Sequence, residues 1–549
     1  MKKLTSIIII TLLSYLCTTA QIIHPKHEIR AVWLTTLGGL DWPKTYAVST
    51  AAMKKQQKEL RDILDKLQAA GINCVLFQTR TRSAVLYPSK YESWAPCVAG
   101  RLGKAPGYDP LAFAIEECHR RGMELHAWVT TIPAGRWNSA ECKQLRRKLP
   151  GTVKRNGDQG YMEPSSNKTA SYLSDLCSEI TRNYDVDGIH LDYIRYPENI
   201  RIRTSATAAR RNITDIVRKI YFDVKAIKPW VKVSCSPIGK YSDLSRYSSR
   251  GWNARDKVFQ DAQAWLSDGI MDILFPMMYF RNDHFYPFLF DWNENKHSGN
   301  IAAGLGAYML SPKEGNWNID EITRQMYVAR DNETGYAFFR SKFFTDDVKG
   351  IYSFTKDIFN AYPALMPQTK CHGIEHPIAP KSIDVRYSGD YYIVSWQQGE
   401  WFDKSPYCTY NLYASNKYPV DTDDARNLIR CRTKELNAAV KRNSNPVYFA
   451  VTTNDRYGNE SAAMQQICDY AVTDEMKGMI ICNDKKIVFD DLLCDIEYII
   501  VETLTGNIVL IPNYNKEGID LSNVAPGMYI LRTLNKRGIS HRIGFMLKK

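Results

Sequence analysis

From about Arg30 to Pro367, short apolar runs alternate with stretches in which apolar residues recur every three to four positions. The runs are IRAVWLTT, NCVLFQT, MELHAWVTT, DGIHLD, VKVSCSP, IMDILFPMMYF, NIAAGLGAY and GYAFFRS. Near-continuous apolar runs of this length predict strands of a parallel sheet buried on both faces. The intervening periodicity predicts helices over Ala51–Ala70, Pro110–Arg121, Lys168–Asn183, Thr204–Ile227, Ala254–Leu266 and Ile319–Asp331, with a last helix running to about Tyr362. A long insert separates strand three from its helix, and the helix after strand six carries the weakest pattern. Eight such units predict a closed (β/α)8 barrel over residues 28–370, in preference to an open doubly wound sheet.

Cys371–Pro380 reads as a linker, and beyond it the helical period disappears. SIDVRYSGDYYIVSWQ, YCTYNLYAS and VYFAVTTNDRYGNESA alternate as strands and resemble a fibronectin type III module over 380–470, with Trp396 and Tyr448 as core positions. A second all-β, sandwich-like tail is predicted over 475–549. Both are expected to be structural or docking elements.

The ends and the composition change this picture in three ways. Lys2-Lys3, the apolar run Ile7–Leu16 and the small residues ending at Ala20 predict a signal peptide over 1–20, hence export, with the periplasm favoured over the cell surface or secretion. No later run is long enough for a membrane helix. The formal charge of +13 becomes +11 without Lys2 and Lys3, and it is spread along the chain. That suits anionic glycans or the cell wall, and no nucleic-acid motif accompanies it. The cysteines show no paired C-x-x-C spacing, and there is neither a zinc signature nor a glycine-rich phosphate loop, so no metal or cofactor is expected. Cys408 with Cys431 is a candidate disulfide.

In such a barrel, function collects at the C-terminal ends of the strands. Asp187 and Asp272 precede strands four and six and should be structural. Asp192 ends strand four and should face the cleft. Around it the strand ends offer Arg80 and Tyr87, His126 and Trp128, His190, Arg195, and Tyr279. Aromatic faces stack on sugars, while Arg and His hydrogen-bond hydroxyls or carboxylates. His126 and Trp128 read equally well as barrel packing, and Arg80 as the partner of a neighbouring acid. Glycoside hydrolysis usually takes two carboxyl groups. Asp192 is the first, as nucleophile or base. For the acid, Glu163 comes first, with the alternative that it serves a helix N-terminus; Asp283 follows, then Glu92.

The segments EIRAVWLTT, GINCVLFQTRTRSAVLYPSKYESW, MELHAWV, YMEPSS, VDGIHLDYIRYP and ILFPMMY together resemble the bacterial glycosyl-hydrolase-like family 10 barrels. That family includes a division-associated glycosidase acting on peptide-stripped peptidoglycan. The resemblance implies a glycan substrate, and its pattern falls on Arg80, Tyr87, His126, Trp128, Asp192 and Tyr196. Three positions depart from it: Ala84 and Tyr193 stand where the family commonly has Asp, and Glu163 replaces the Asp of a D-P motif. The reading is an exported glycoside hydrolase acting on peptidoglycan or another polysaccharide. The rivals are a non-catalytic glycan-binding barrel that docks to the envelope and a purely structural envelope protein.

Overall fold

The computed structural model describes residues 23–369 apart from 199, 248 and 249. Beyond them it describes 377–388, 390–400, 407–441 and 447–465, and, from 480 onward, the segments 480–482, 486–488, 496–503, 508–510, 519–525, 527–535 and 540–547. The signal peptide expected over 1–20 and most of the expected linker lie outside the described residues. Among the described residues, no helix is long and apolar enough to cross a membrane.

Eight parallel strands close on themselves: β1 (Arg30–Leu34), β2 (Cys74–Thr81), β3 (Glu124–Thr130), β4 (Gly188–Asp192), β5 (Lys232–Cys235), β6 (Ile273–Leu274), β7 (Asn300–Leu305) and β8 (Gly335–Phe338). Closure is made by β1, which pairs with β8 (Arg30 opposite Tyr336) and with β2 (Ala31 opposite Cys74). The helices follow the strands: α1 (Thr50–Ala69), α2 (Pro110–Arg120), α3 (Asn167–Asn183), α4 (Ala206–Ile227), α5 (Ala262–Ser267), α6 (Tyr286–Glu294) and α7 (Ile319–Asp331). Their starts are written locally. Ser49 accepts from the Ala52 amide ahead of α1, and Asp109 accepts from Leu111 and Ala112 ahead of α2, whose first residue is Pro110. In α1 the buried Gln56, Leu60, Leu64 and Leu67 form the stripe that lies on the barrel.

Two predicted elements come out differently. The helix expected over Ala254–Leu266 is broken into Ala254–Lys257 and α5, with Phe259 between them at φ 61. Strand six keeps only Ile273–Leu274 in the ladder, because Pro276 has no amide hydrogen to donate. The insert after β3 is an antiparallel ribbon of Pro133–Arg136, Val153–Asn156 and Gln159–Met162, which the sequence pattern did not reveal.

Residues 382–465 form two antiparallel sheets, Ser382–Ser388, Tyr391–Gln397 and Asn437–Lys441 facing Leu428–Thr433, Thr409–Ser415, Tyr448–Asn454 and Met464–Gln465. Trp396, Leu412 and Phe449 fill the space between them, with the Trp396 ring 5.8 Å from Tyr410, while Tyr448 is only half-buried. This sandwich and the barrel belong to one compact unit. Cys408 and Cys431 are separate free thiols, so the candidate disulfide is not formed. A second unit, residues 416–419 with 465–549, contains a three-stranded and a four-stranded antiparallel sheet around Ile499, Val501, Ile519 and Leu531.

At the N-terminal end of the barrel, acids are matched to cations. Asp187 accepts from the Leu125 amide and from His119 (2.8 Å), and pairs with Arg432 of the sandwich (2.8 Å). Asp272 accepts from the Val233 amide and pairs with Lys225. Both acids therefore tie the start of one strand to its neighbour. Glu124 pairs with Lys232 at 2.6 Å and with Arg432 at 3.3 Å. Burial alone would push these carboxyls up; Lys232 and Arg432 hold Glu124 down at about 2, while His119 and Arg432 hold Asp187 well below its ordinary value.

Candidate functional site

A cavity of about 920 Å³ opens at the C-terminal end of the strands. Its floor is the top of the barrel: Trp33, Gln78, Trp128, Thr130, Asp192 and Ser236. Its walls are the β4 loop (Tyr193, Arg195, Glu198), the β6 end (Met277, Tyr279), Phe339–Arg340 after β8, and the ribbon tip Asn156–Tyr161.

Asp192 is the centre of this floor and is 6 % exposed. Its Oδ1 accepts from Ser236 Oγ (2.9 Å) and from the Tyr193 amide (2.8 Å), and its Oδ2 accepts from Trp128 Nε1 (3.0 Å). Tyr193 takes the left-handed region at φ 52, which curls its own amide back onto the carboxylate. Among the described residues, Oδ2 therefore keeps an unused lone pair. Burial pushes the Asp192 carboxyl above its ordinary value, against the pull of Arg195 and of the Ser236, Trp128 and Tyr193 donors.

Arg195 forks onto Glu198 (2.8 Å), lies 3.9 Å over the Tyr193 ring, and leaves Nη1 buried without a hydrogen-bond partner among the described residues. The Tyr279 hydroxyl is likewise buried and unpartnered, and burial, with Tyr308 and Asp192 nearby, pushes it well above its usual range. Its ring packs against Phe339 and Tyr308.

Of the residues predicted from sequence, Asp192, Trp128, Arg195 and Tyr279 line the cavity, and the others lie elsewhere. His190 sits one layer below the floor: Nε2 accepts from Trp33 Nε1 (3.1 Å), because an indole nitrogen only donates, so the ring proton is on Nδ1, which donates to Ser234 Oγ (3.0 Å). Burial, with His126 nearby, pushes this imidazole well below its ordinary value. His126 is deeper still, beside Glu124 (3.2 Å) and packed onto Gly188, where a Cβ would come within 2.6 Å of the His126 ring. Arg80 leaves the lumen through an irregularity in the β2–β3 register between Gln78 and Arg80, which reverses the in–out alternation. It is fully buried outside the barrel wall and holds Glu92 through two bonds (2.6 and 2.8 Å). Tyr87 is buried there too, bonded to Glu179 of α3 (3.2 Å).

The acids chosen as partners of Asp192 are also elsewhere. Glu163 accepts from Ser165 Oγ (3.0 Å) in the turn that starts α3, which is its helix-terminal alternative. Asp283 is exposed on the short turn Asn282–His284, outside the cavity lining, and Glu92 is spent on Arg80. The carboxylates that share the cavity with Asp192 are Glu198 and Asp158. Neither was singled out from sequence. Glu198 follows Arg195-Tyr196-Pro197 in the β4 loop, so its position after a strand end was the available signal.

The glycosyl hydrolase-like 10 family model matches residues 28–209 and 203–303. The chain is 28% identical over 482 residues to the glycosyl hydrolase YngK of Bacillus subtilis, covering 80% of this chain and 93% of that one. It is 30% identical over 300 residues to the glycosyl hydrolase DigH of Escherichia coli K12, covering 48% and 67%. Among solved structures, the endo-β-1,4-mannanase of Thermotoga petrophila aligns with a TM-score of 0.41 at 11% identity, over 80% of this chain and 97% of that one. With its barrel and its matched segments from Glu28 through β7, this chain belongs to the glycosyl hydrolase-like 10 family.

Proposed function

We propose that the protein is an exported glycoside hydrolase acting on peptidoglycan or another polysaccharide, with Asp192 as its general acid. The observation that carries this reading is Asp192 itself: a buried carboxyl, raised by burial, with one lone pair of Oδ2 unused at the floor of an aromatic-lined cavity. A raised carboxyl retains its proton nearer neutrality and can deliver it to a glycosidic oxygen. Glu198, held by Arg195 at the same cavity, is the second carboxylate, acting on the sugar or on water. This reverses the role expected for Asp192 from sequence and replaces Glu163 and Asp283. Tyr193, exposed at the cavity wall, supplies a face for stacking on a sugar ring. Export and the periplasm rest on the Lys2-Lys3, Ile7–Leu16 and Ala20 pattern, and the peptidoglycan substrate on the family resemblance.

The test is product analysis by mass spectrometry, with peptide-stripped peptidoglycan and a polysaccharide panel, for the protein and its Asp192→Asn variant. The variant is expected to lose at least about 10²-fold in rate. Equal product from both removes Asp192 from catalysis. Binding with no product from either protein leaves the docking barrel as the function.

A further inference from the structure

We infer that the cavity contains a subsite for a carboxylate-bearing sugar, read by Arg82. This deepens the glycan reading above and rests on it. Arg82 and Ser83 form the two-residue turn that joins β2 to the short return Ala84–Val85, in which Arg80 faces Val85 and Thr81 faces Ala84. Such turns need positive φ at their first central residue and are normally given to Gly, Asn or Asp. Arg82 occupies that position at φ 56. A long side chain here works against the local backbone preference, which is the mark of a position kept for what its side chain reaches.

What it reaches is the cavity. Three arginines line that space, and two are spoken for: Arg340 pairs with Asp41, and Arg195 with Glu198. Arg82 has no ion-pair partner among the described residues. Asp158, on the ribbon tip that lines the same cavity, makes no ion pair with it and accepts instead from Gln159 Nε2 at 2.9 Å. The turn is fixed where it stands, because Ser83 Oγ donates to the Ala134 carbonyl at 3.0 Å. A planar, permanently charged fork with no internal acid matches a carboxylate through two parallel hydrogen bonds. A neutral sugar hydroxyl would use one donor and leave the charge uncompensated. The ligand class is therefore a sugar whose carboxylate is either part of the ring, as in a uronic acid, or attached to it through an ether, as in peptide-free muramic acid.

The experiment measures affinity by calorimetry in the full chain carrying Asp192→Asn, which suppresses turnover. Two pairs of oligosaccharides are used: peptide-free peptidoglycan oligomers and oligouronates, each beside the same oligomer with its carboxylates reduced to primary alcohols. The charged member of one pair is expected to bind at least about tenfold tighter than its reduced partner, and the pair that shows this names the source of the carboxylate. In Arg82→Gly the preference should collapse to within about twofold. Because glycine relaxes the turn, thermal unfolding of this variant should come at the same or a higher temperature. Equal affinity within both pairs, absence of binding to any charged oligomer, or a preference that survives Arg82→Gly would overturn the subsite. Cleavage of neutral glycans with no charge preference would sink the subsite and spare the hydrolase. Charge-dependent binding by a protein that never releases product would do the reverse.

Discussion

Asp187 and Asp192 stand at the two ends of one five-residue strand, Asp187 half-buried and Asp192 buried, yet their carboxyls are driven in opposite directions. At the base, Asp187 meets the Arg432 guanidinium, the His119 ring and a backbone amide. At the top, Asp192 meets an indole, a hydroxyl and an amide, all neutral, and an oxygen is left with room. The cations around the base convert burial into cohesion, whereas the neutral donors around Asp192 position a carboxyl without neutralising it. The same difference extends to the neighbours. Glu124 is matched by Lys232 and Arg432, whereas Asp192 has no cation within ion-pair distance among the described residues. Residue type does not separate structural from functional acids here; a cation within ion-pair reach does.

The comparison breaks most visibly at Arg432. Arg432→Ala leaves Glu124 and Asp187 short of a counter-charge in a buried setting, and the expected cost is about 3–5 kcal/mol of stability in denaturant unfolding. Both carboxyls are depressed in the folded protein, so their contribution is fully present above the ordinary carboxylate range and is lost as the pH falls from there through their folded values, about 2 for Glu124. Wild type and variant should therefore differ at neutral pH and converge in acid. A constant gap across pH would mean that Arg432 acts through packing alone. The top is perturbed by Trp128→Phe, which deletes one of the three donors to Asp192. Its carboxyl should rise further, so the limb of the pH–rate profile that it controls moves to higher pH by up to about one unit. Activity should drop by roughly tenfold, consistent with the loss of one hydrogen bond to a charged group. An unmoved limb would assign that limb to another group. The smallest effect is expected for Tyr279→Phe. The hydroxyl it removes has no partner among the described residues, so unfolding free energy should stay level or gain about 1 kcal/mol while glycan affinity declines. A clear destabilisation would show that the hydroxyl is satisfied in the folded protein.

The barrel was legible because each parallel strand is an unbroken apolar run, and period alone locates it. The α7 boundaries Ile319–Asp331 follow from that period directly. The site was legible at strand ends that keep their alternation and in Arg195 and Tyr279, which follow such ends closely. Asp192 and Trp128 could be placed from parity and position. His190 shares Asp192's parity, but inward side chains of a barrel stack in layers, and only the last layer meets the cavity. Arg80 has the right position, but the register irregularity after Gln78 reverses its direction, and bulges carry no period of their own. Glu198 and Arg82 sit in loops, where no hydrophobic rhythm assigns a direction. The ribbon over 133–162 was visible in the sequence only as extra length.

The reach of Arg432 from the sandwich into the barrel base has a consequence for how this chain can be rearranged. A boundary drawn near residue 370 marks a change of architecture, but it is not a seam. A gene fragment stopped there would encode a barrel in which Glu124 and Asp187 lack their shared counter-ion, and a transplanted sandwich would have to bring an arginine to the same point. The two modules are therefore expected to be inherited, expressed and degraded together, as one currency of selection rather than two.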